Sequence, residues 1–98
     1  MKTISKETMA TARVLVVGDV NSTLACSIDA KKLNIPVVHV EAGLRSGDMR
    51  MPEEINRLVT DSISDWFFCT EPAGVANLLN EGKNKDVVFN VGHVMVDN

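Results

Sequence analysis

A chain of 98 residues has room for one small domain and no more, and a domain of that size buries only a modest share of its surface. With 45% hydrophobic and 23% charged residues, disorder and low complexity are excluded. Ten basic residues face thirteen acidic ones, a formal charge of −3 with no basic stripe to track a phosphate backbone, so nucleic acid is not an expected partner.

Residues 1 to 12 show no clear period and are read as an N-terminal arm or short helix. The stretch after Lys2 is polar where a signal peptide would be apolar, and no apolar run approaches membrane-spanning length. The expectation is a cytosolic chain that neither spans nor binds a membrane.

From residue 13 to 98 the pattern sharpens into a partial Rossmann-like α/β domain. Val14-Leu15-Val16-Val17 is a continuous apolar run closing at Gly18-Asp19, as in a strand buried on both faces. Asn21-Ser22-Thr23 offers N-cap chemistry for a helix through about Leu33, which Asn34-Ile35-Pro36 breaks. Val37-Val38-His39-Val40 is a second strand closing at Glu41, and residues 42 to 51 form a loop. Pro52, with Glu53 and Glu54 in the first turn, opens a helix whose Ile55, Leu58, Val59, Ser62 and Ile63 make one apolar stripe ending near Ser64.

Trp66-Phe67-Phe68-Cys69 is the third strand. Glu71-Pro72 starts a helix that stops at Gly82, and Val87-Val88-Phe89 is the fourth strand. Alternation of strand and helix specifies right-handed crossovers, hence a parallel sheet of about four strands with three helices. Cys26 and Cys69 have no second Cys or His at metal-ligand spacing and read as reduced, buried thiols.

Ligands of open α/β sheets bind outside the carboxyl ends of the strands. Here those ends are Gly18-Asp19, Glu41, Thr70-Glu71 and Gly92-His93, so a parallel sheet gathers carboxylates along one rim. Asp19 or Glu71 alone reads equally well as a helix cap, and Glu41 as a solvated loop acid. Several acids together suit acid/base work, provided burial and repulsion push their protonation states apart. Arg45, Arg50 and Arg57 are the nearby cations, too few to offset the repulsion toward a phosphorylated substrate, so a second cationic wall is expected. Arg57 follows Glu54 and Glu53 by three and four residues and shares their helix face.

Read in order, Val-Val-Gly-Asp-Val-Asn-Ser-Thr (16 to 23), His-Val-Glu-Ala-Gly-Leu-Arg-Ser-Gly-Asp (39 to 48), Met-Pro-Glu-Glu-Ile-Asn-Arg (51 to 57) and Thr-Glu-Pro-Ala-Gly-Val-Ala-Asn-Leu (70 to 78) resemble the bacterial non-hydrolysing UDP-N-acetylglucosamine 2-epimerases. The resemblance implies part of the first of two Rossmann-like domains of a GT-B fold, without that domain's opening strand. The second domain, with a catalytic histidine and most UDP contacts, has no counterpart here. The implied reaction interconverts UDP-N-acetylglucosamine and UDP-N-acetylmannosamine by eliminating UDP to a glycal and re-adding it, in cell-surface polysaccharide biosynthesis, with no metal or other cofactor. Residue by residue, it carries catalytic roles to Asp19, Glu41 and Glu53, and support of the substrate site to Arg45 and Arg57. No role passes to His93, where the family more often has Asn, nor to His39, which is expected to order its strand end.

Two other readings stand beside the epimerase segment. A non-catalytic remnant would bind a nucleotide sugar or a partner chain without turnover. A metal-dependent phosphoesterase fragment would use Asp19, His39 and His93 as ligands. Four strands with three helices leave sheet edges and part of a face uncovered, so self-association, or a partner chain supplying the missing domain, is expected.

Overall fold

The computed structural model describes residues 13–92; the expected arm over 1 to 12, and His93 after the last strand, lie outside them. Strands β1 (Val14–Val17), β2 (Val37–Val40), β3 (Trp66–Cys69) and β4 (Val88–Asn90) alternate with helices α1 (Asn21–Lys32), α2 (Pro52–Ile63) and α3 (Pro72–Asn80). A 3₁₀ turn over Lys85–Val87 precedes β4, so that strand starts one residue later than the sequence suggests.

The sheet order is β1-β2-β3-β4 and every pairing is parallel. The register sets Val16 beside His39, His39 beside Phe67, and Phe67 beside Val88. Side chains alternate across a strand, so this row faces one side of the sheet. All three helices pack on that side: Ala30 of α1 meets Val16 and Val37, Asp61 of α2 meets His39, and Leu78 of α3 meets Phe67 and Cys69. Val38, Val40, Phe68 and Phe89 form a separate cluster on the other face, where the Phe68 and Phe89 rings meet edge to face.

Three local expectations need correction. β1 is not buried on both faces, because it is the outer strand of the described sheet and its Leu15 and Val17 are exposed. α1 takes no side-chain N-cap: Val20 occupies that position, and Thr23 instead donates its hydroxyl to the Val17 carbonyl at 2.8 Å, tying the helix to the strand before it. α2 does not bury its apolar stripe. Ile55 is 43% exposed, Ser62 is exposed, and the buried positions are Glu54, Asn56, Thr60 and Asp61.

A helix that buries four polar residues must satisfy them internally, since an unpartnered buried polar group costs about 1–3 kcal/mol. Glu54, Asn56 and Asp61 make theirs to the turns after β1 and β2 and to His39, whereas the buried Thr60 hydroxyl has no hydrogen-bond partner among the described residues. The polar face of α2 is therefore what links the helix layer to the carboxyl edge of the sheet.

Candidate active site

Parallel pairing puts the carboxyl ends of all four strands on one edge. The Gly18 amide donates to the Val40 carbonyl at 3.1 Å, pinning the turn that carries Asp19 to the end of β2, one residue before Glu41. Ala42 in turn donates to the Phe68 carbonyl at 3.1 Å, and Val91 to the Cys69 carbonyl at 2.9 Å. The rim is thus stitched strand to strand beyond the ends of the ladder.

Asp19 is no helix cap. Its Oδ2 accepts from Arg57 Nη2 at 2.8 Å and Nε at 3.0 Å, a charge-assisted contact from one edge of the guanidinium. Asn56, the residue before Arg57, donates through Nδ2 to the Asp19 carbonyl at 2.8 Å and to Asn21 Oδ1 at 2.9 Å. These contacts wall a cavity lined by Asp19, Val20, Asn21, Pro52, Glu53 and Asn56. Two of the expected acids therefore share one mouth. Glu53 is exposed there, with no ion pair or hydrogen bond among the described residues.

Glu41 follows the neighbouring strand and is not among the residues lining that cavity. Its φ of +64° is a conformation that a residue with a side chain holds at a cost of about 1–3 kcal/mol, kept only where the surroundings over-determine it. Those surroundings are the Ala42 bond to Phe68 and the buried amide of Gly43, which donates to Asp61 Oδ2 at 3.0 Å.

Arg45 and Arg57 differ in what they hold. Arg57 stands between Asp19, which lines the cavity, and Glu54 Oε1, the latter at 3.2 Å. Arg45 is committed elsewhere: Nη1 lies 2.9 Å from Asp61 Oδ2, and Nη2 and Nε reach the two Glu81 oxygens at 2.8 and 2.9 Å. Burial disfavours its charge, yet the hydrogen bonds to Glu81 and Asp61 outweigh this and hold its pKa above the ordinary arginine value. Arg50 makes only an exposed pair with Asp48.

Two buried carboxylates escape a reading that looks only at strand ends. Glu54 accepts the amides of Ser46 at 2.9 Å and Gly47 at 3.1 Å, closing the loop after β2 onto α2. The Ser46 amide, against the opposing effect of burial and aided by Gly47 and Arg57, holds this carboxyl below its usual range. Asp61 is 1% exposed, and burial would raise its pKa; the hydrogen bonds from His39, Arg45 and Gly43 prevail and lower it. A signal for both exists in the sequence: Glu54, Arg57 and Asp61 sit at i, i+3 and i+7, one polar face of a helix.

His39 orders its strand end as expected, with Nδ1 at 2.5 Å from Asp61 Oδ1 and Nε2 at 2.8 Å from the Gly18 carbonyl. That arrangement leaves neither His39 nor Asp19 free for the phosphoesterase ligand set, whose third member, His93, lies outside the described residues. Both ring nitrogens are taken by protein acceptors, and Asp19 is tied to Arg57. Among the described residues no group of three His, Cys, Asp or Glu side chains is placed to hold a metal ion.

A family model described as UDP-N-acetylglucosamine 2-epimerase matches residues 2–98. A UDP-2,3-diacetamido-2,3-dideoxy-D-glucuronate 2-epimerase of Pseudomonas aeruginosa is 55% identical over 87 residues, 87% of this chain and 25% of the relative. The structure of the Methanocaldococcus jannaschii UDP-GlcNAc 2-epimerase in complex with UDP-GlcNAc and UDP superposes with a TM-score of 0.81 at 51% identity, over 86% of this chain and 23% of that one. The Neisseria meningitidis UDP-GlcNAc 2-epimerase bound to UDP-GlcNAc gives a TM-score of 0.82 at 41% identity, over 86% and 23%. The chain thus spans about a quarter of the length of the relatives it matches. Matched along nearly its whole length, and sharing their parallel α/β architecture, the chain belongs to the UDP-N-acetylglucosamine 2-epimerase family.

Proposed function

We propose that this chain supplies one wall of an active site that inverts C2 of a UDP-linked 2-acetamido sugar, in the first instance interconverting UDP-N-acetylglucosamine and UDP-N-acetylmannosamine. The observation that carries this reading is the shared mouth of Asp19 and Glu53, held by Arg57 and Asn56 one strand away from Glu41. The relatives bound to UDP-GlcNAc lend the substrate.

The C2 proton of such a sugar is not acidic enough to be lost from a resting pyranose. Elimination solves this: a carboxylate removes the C2 proton while UDP leaves C1, giving a glycal and free UDP. Re-addition of UDP at C1 with protonation of C2 from the other face gives the epimer. The step needs a base and an acid around C2, and Asp19, Glu41 and Glu53 are the groups assigned to this work. Arg57 orients Asp19; Arg45 supports the site from behind, through the loop after Glu41.

UDP itself needs cations that this rim does not offer, because Arg45 and Arg57 are already paired. The rest of the nucleotide site therefore belongs to further polypeptide, a partner chain or a second domain, and the exposed Leu15 and Val17 of β1 fit an edge that such polypeptide covers. A cytoplasmic place and a role in making cell-surface polysaccharide follow from the nucleotide-sugar reading.

A second substrate has a specific observation behind it: the 55% identical relative is named for a diacetamido glucuronate. C2 chemistry is the same for both sugars; C3 and C6 differ. The test is to assemble the chain with polypeptide covering the remaining length of its relatives and to incubate each UDP-sugar in heavy water. Deuterium at C2, lost on Asp19→Asn, Glu41→Gln or Glu53→Gln, is expected. Binding without exchange in a folded assembly overturns the catalytic reading in favour of a non-catalytic binding module.

A further inference from the structure

We propose that Asn21 recognises the acetamido group on C2 of the sugar, through a side-chain NH2 that the fold leaves uncommitted at the cavity shared by Asp19 and Glu53. The substrate in this statement rests on the epimerase reading; the placement of the amide does not.

Which end of the Asn21 carboxamide is free follows from its partner. Asn56 Nδ2 lies 2.8 Å from the Asp19 carbonyl oxygen, and a carbonyl only accepts, so the amide nitrogen of Asn56 must stand there. The same nitrogen lies 2.9 Å from the Asn21 side chain. An amide nitrogen only donates, so the atom that meets it is Asn21 Oδ1, and both Asn56 protons are then used. Asn56 is 7% exposed, so water offers no ready substitute for either bond. The Asn21 oxygen is therefore turned to α2, and its two N–H donors have no partner among the described residues.

The surroundings of that NH2 select what it can bind. The cavity, about 350 Å³, lies at the small end of ligand pockets, and its walls are Asp19, Val20, Asn21, Pro52, Glu53 and Asn56. Among these side chains Asn21 holds the one N–H donor group not already used within the described residues. Beside it stand two carboxyl groups, which accept, and two apolar residues, Pro52 and the 57% exposed Val20.

A phosphate does not suit this lining, because two acids repel it and the neighbouring cation, Arg57, is paired with Asp19. A hydroxyl can give its proton to either carboxylate and has no need of the amide. An acetamido group uses all three features. Its carbonyl oxygen, which only accepts, takes the Asn21 NH2; its N–H faces a carboxylate; its methyl lies on Val20 and Pro52. Because Asp19 and Glu53 are among the acids assigned to C2, the acetamido group that fits beside them is the one C2 carries. Asn21 is thus a binding residue that turns C2 toward the acids, and it moves no proton itself.

Nitrogen-15 spectra of the labelled chain read the Asn21 NH2 directly. Millimolar UDP-N-acetylglucosamine is expected to shift that pair of signals, and UDP-glucose, with a hydroxyl on C2, to leave it within error. Asn21→Asp is the matching variant: it keeps an oxygen for Asn56 and puts a second oxygen where the NH2 stood. The added charge weakens both nucleotides, so the readout is the preference for the acetamido sugar over UDP-glucose, expected to fall about tenfold for one lost hydrogen bond. Shifts in the turns at 18 to 20 and 41 to 43 with the Asn21 NH2 unmoved, or a preference that survives Asn21→Asp, overturn the role of Asn21 and leave the epimerase reading standing. No response to UDP-N-acetylglucosamine anywhere on this rim overturns both. If Asn21→Asp does not fold, the wild-type NH2 shifts with the two nucleotides decide alone.

Discussion

Arg57 and Asp19 meet 38 residues apart in sequence, with Nη2 2.8 Å and Nε 3.0 Å from one carboxylate oxygen, and the same guanidinium reaches Glu54. Removing it leaves two carboxylates facing a vacated site, one of them buried. Arg57→Met is expected to cost about 1–3 kcal/mol in urea unfolding. Arg50→Met, which breaks only the exposed pair with Asp48, is expected to cost less than about 0.5 kcal/mol. Equal losses for the two variants contradict the assignment of Arg57 to the site.

The loop after β2 approaches α3 so closely that Gly43 admits no side chain: a Cβ there stands 2.3 Å from the Gly74 carbonyl oxygen, at a φ of +84°. Gly47 has a similar φ of +78° but open space around it. Gly47→Ala is expected to cost about 1 kcal/mol, the backbone term alone. Gly43→Ala adds a backbone clash and is expected to exceed this by at least about 2 kcal/mol in the same urea titration. A difference within error removes the close approach from the account.

Acid is expected to loosen the rim before the rest of the sheet. Glu54 and Asp61 are both held below their reference values of 4.5 and 3.8 in the folded chain. A depressed carboxyl stabilises the fold fully above its unfolded pKa, and that contribution drains as pH falls through the folded value. Stability is therefore expected to decline below about pH 4.5, with Glu54→Gln showing a shallower decline than wild type. Unfolding midpoints across pH 2 to 6 read this directly; a profile unchanged by the substitution contradicts it.

Strand and helix order were legible in the sequence because each strand is a short apolar run and two of the helices open on a proline, Pro52 and Pro72. His39 as an orderer of its strand end was legible too. What misled was the face of α2. Ile55, Leu58, Val59 and Ile63 make the apolar stripe, but periodicity says only that two faces differ, not which one meets the sheet, and here the polar one does. The partners of Arg45 were not legible for a related reason: its place in a motif loop suggests support of the substrate site, and only the fold brings Asp61 and Glu81 to it.

The two cysteines were both read as buried, and only Cys69 is; Cys26 lies on the exposed side of α1. An aromatic disulfide reagent at neutral pH is expected to label Cys26 at once. Cys69, enclosed by Phe67, Ala42 and Leu78 with its thiol pushed up to about 12, is expected to react only on unfolding. Prompt labelling of both thiols in the native chain contradicts the packing of α3 on the sheet.

The most direct measurement is a map of amide shifts in the nitrogen-15-labelled chain as UDP-N-acetylglucosamine is added to millimolar concentration. Residues 18 to 21, 41 to 43 and 53 to 56 are expected to respond together, while 33 to 36 and 85 to 87, at the opposite edge of the sheet, stay still. Response at that opposite edge, or none at the turns bearing Asp19, Glu41 and Glu53, contradicts a sugar-nucleotide site on this rim.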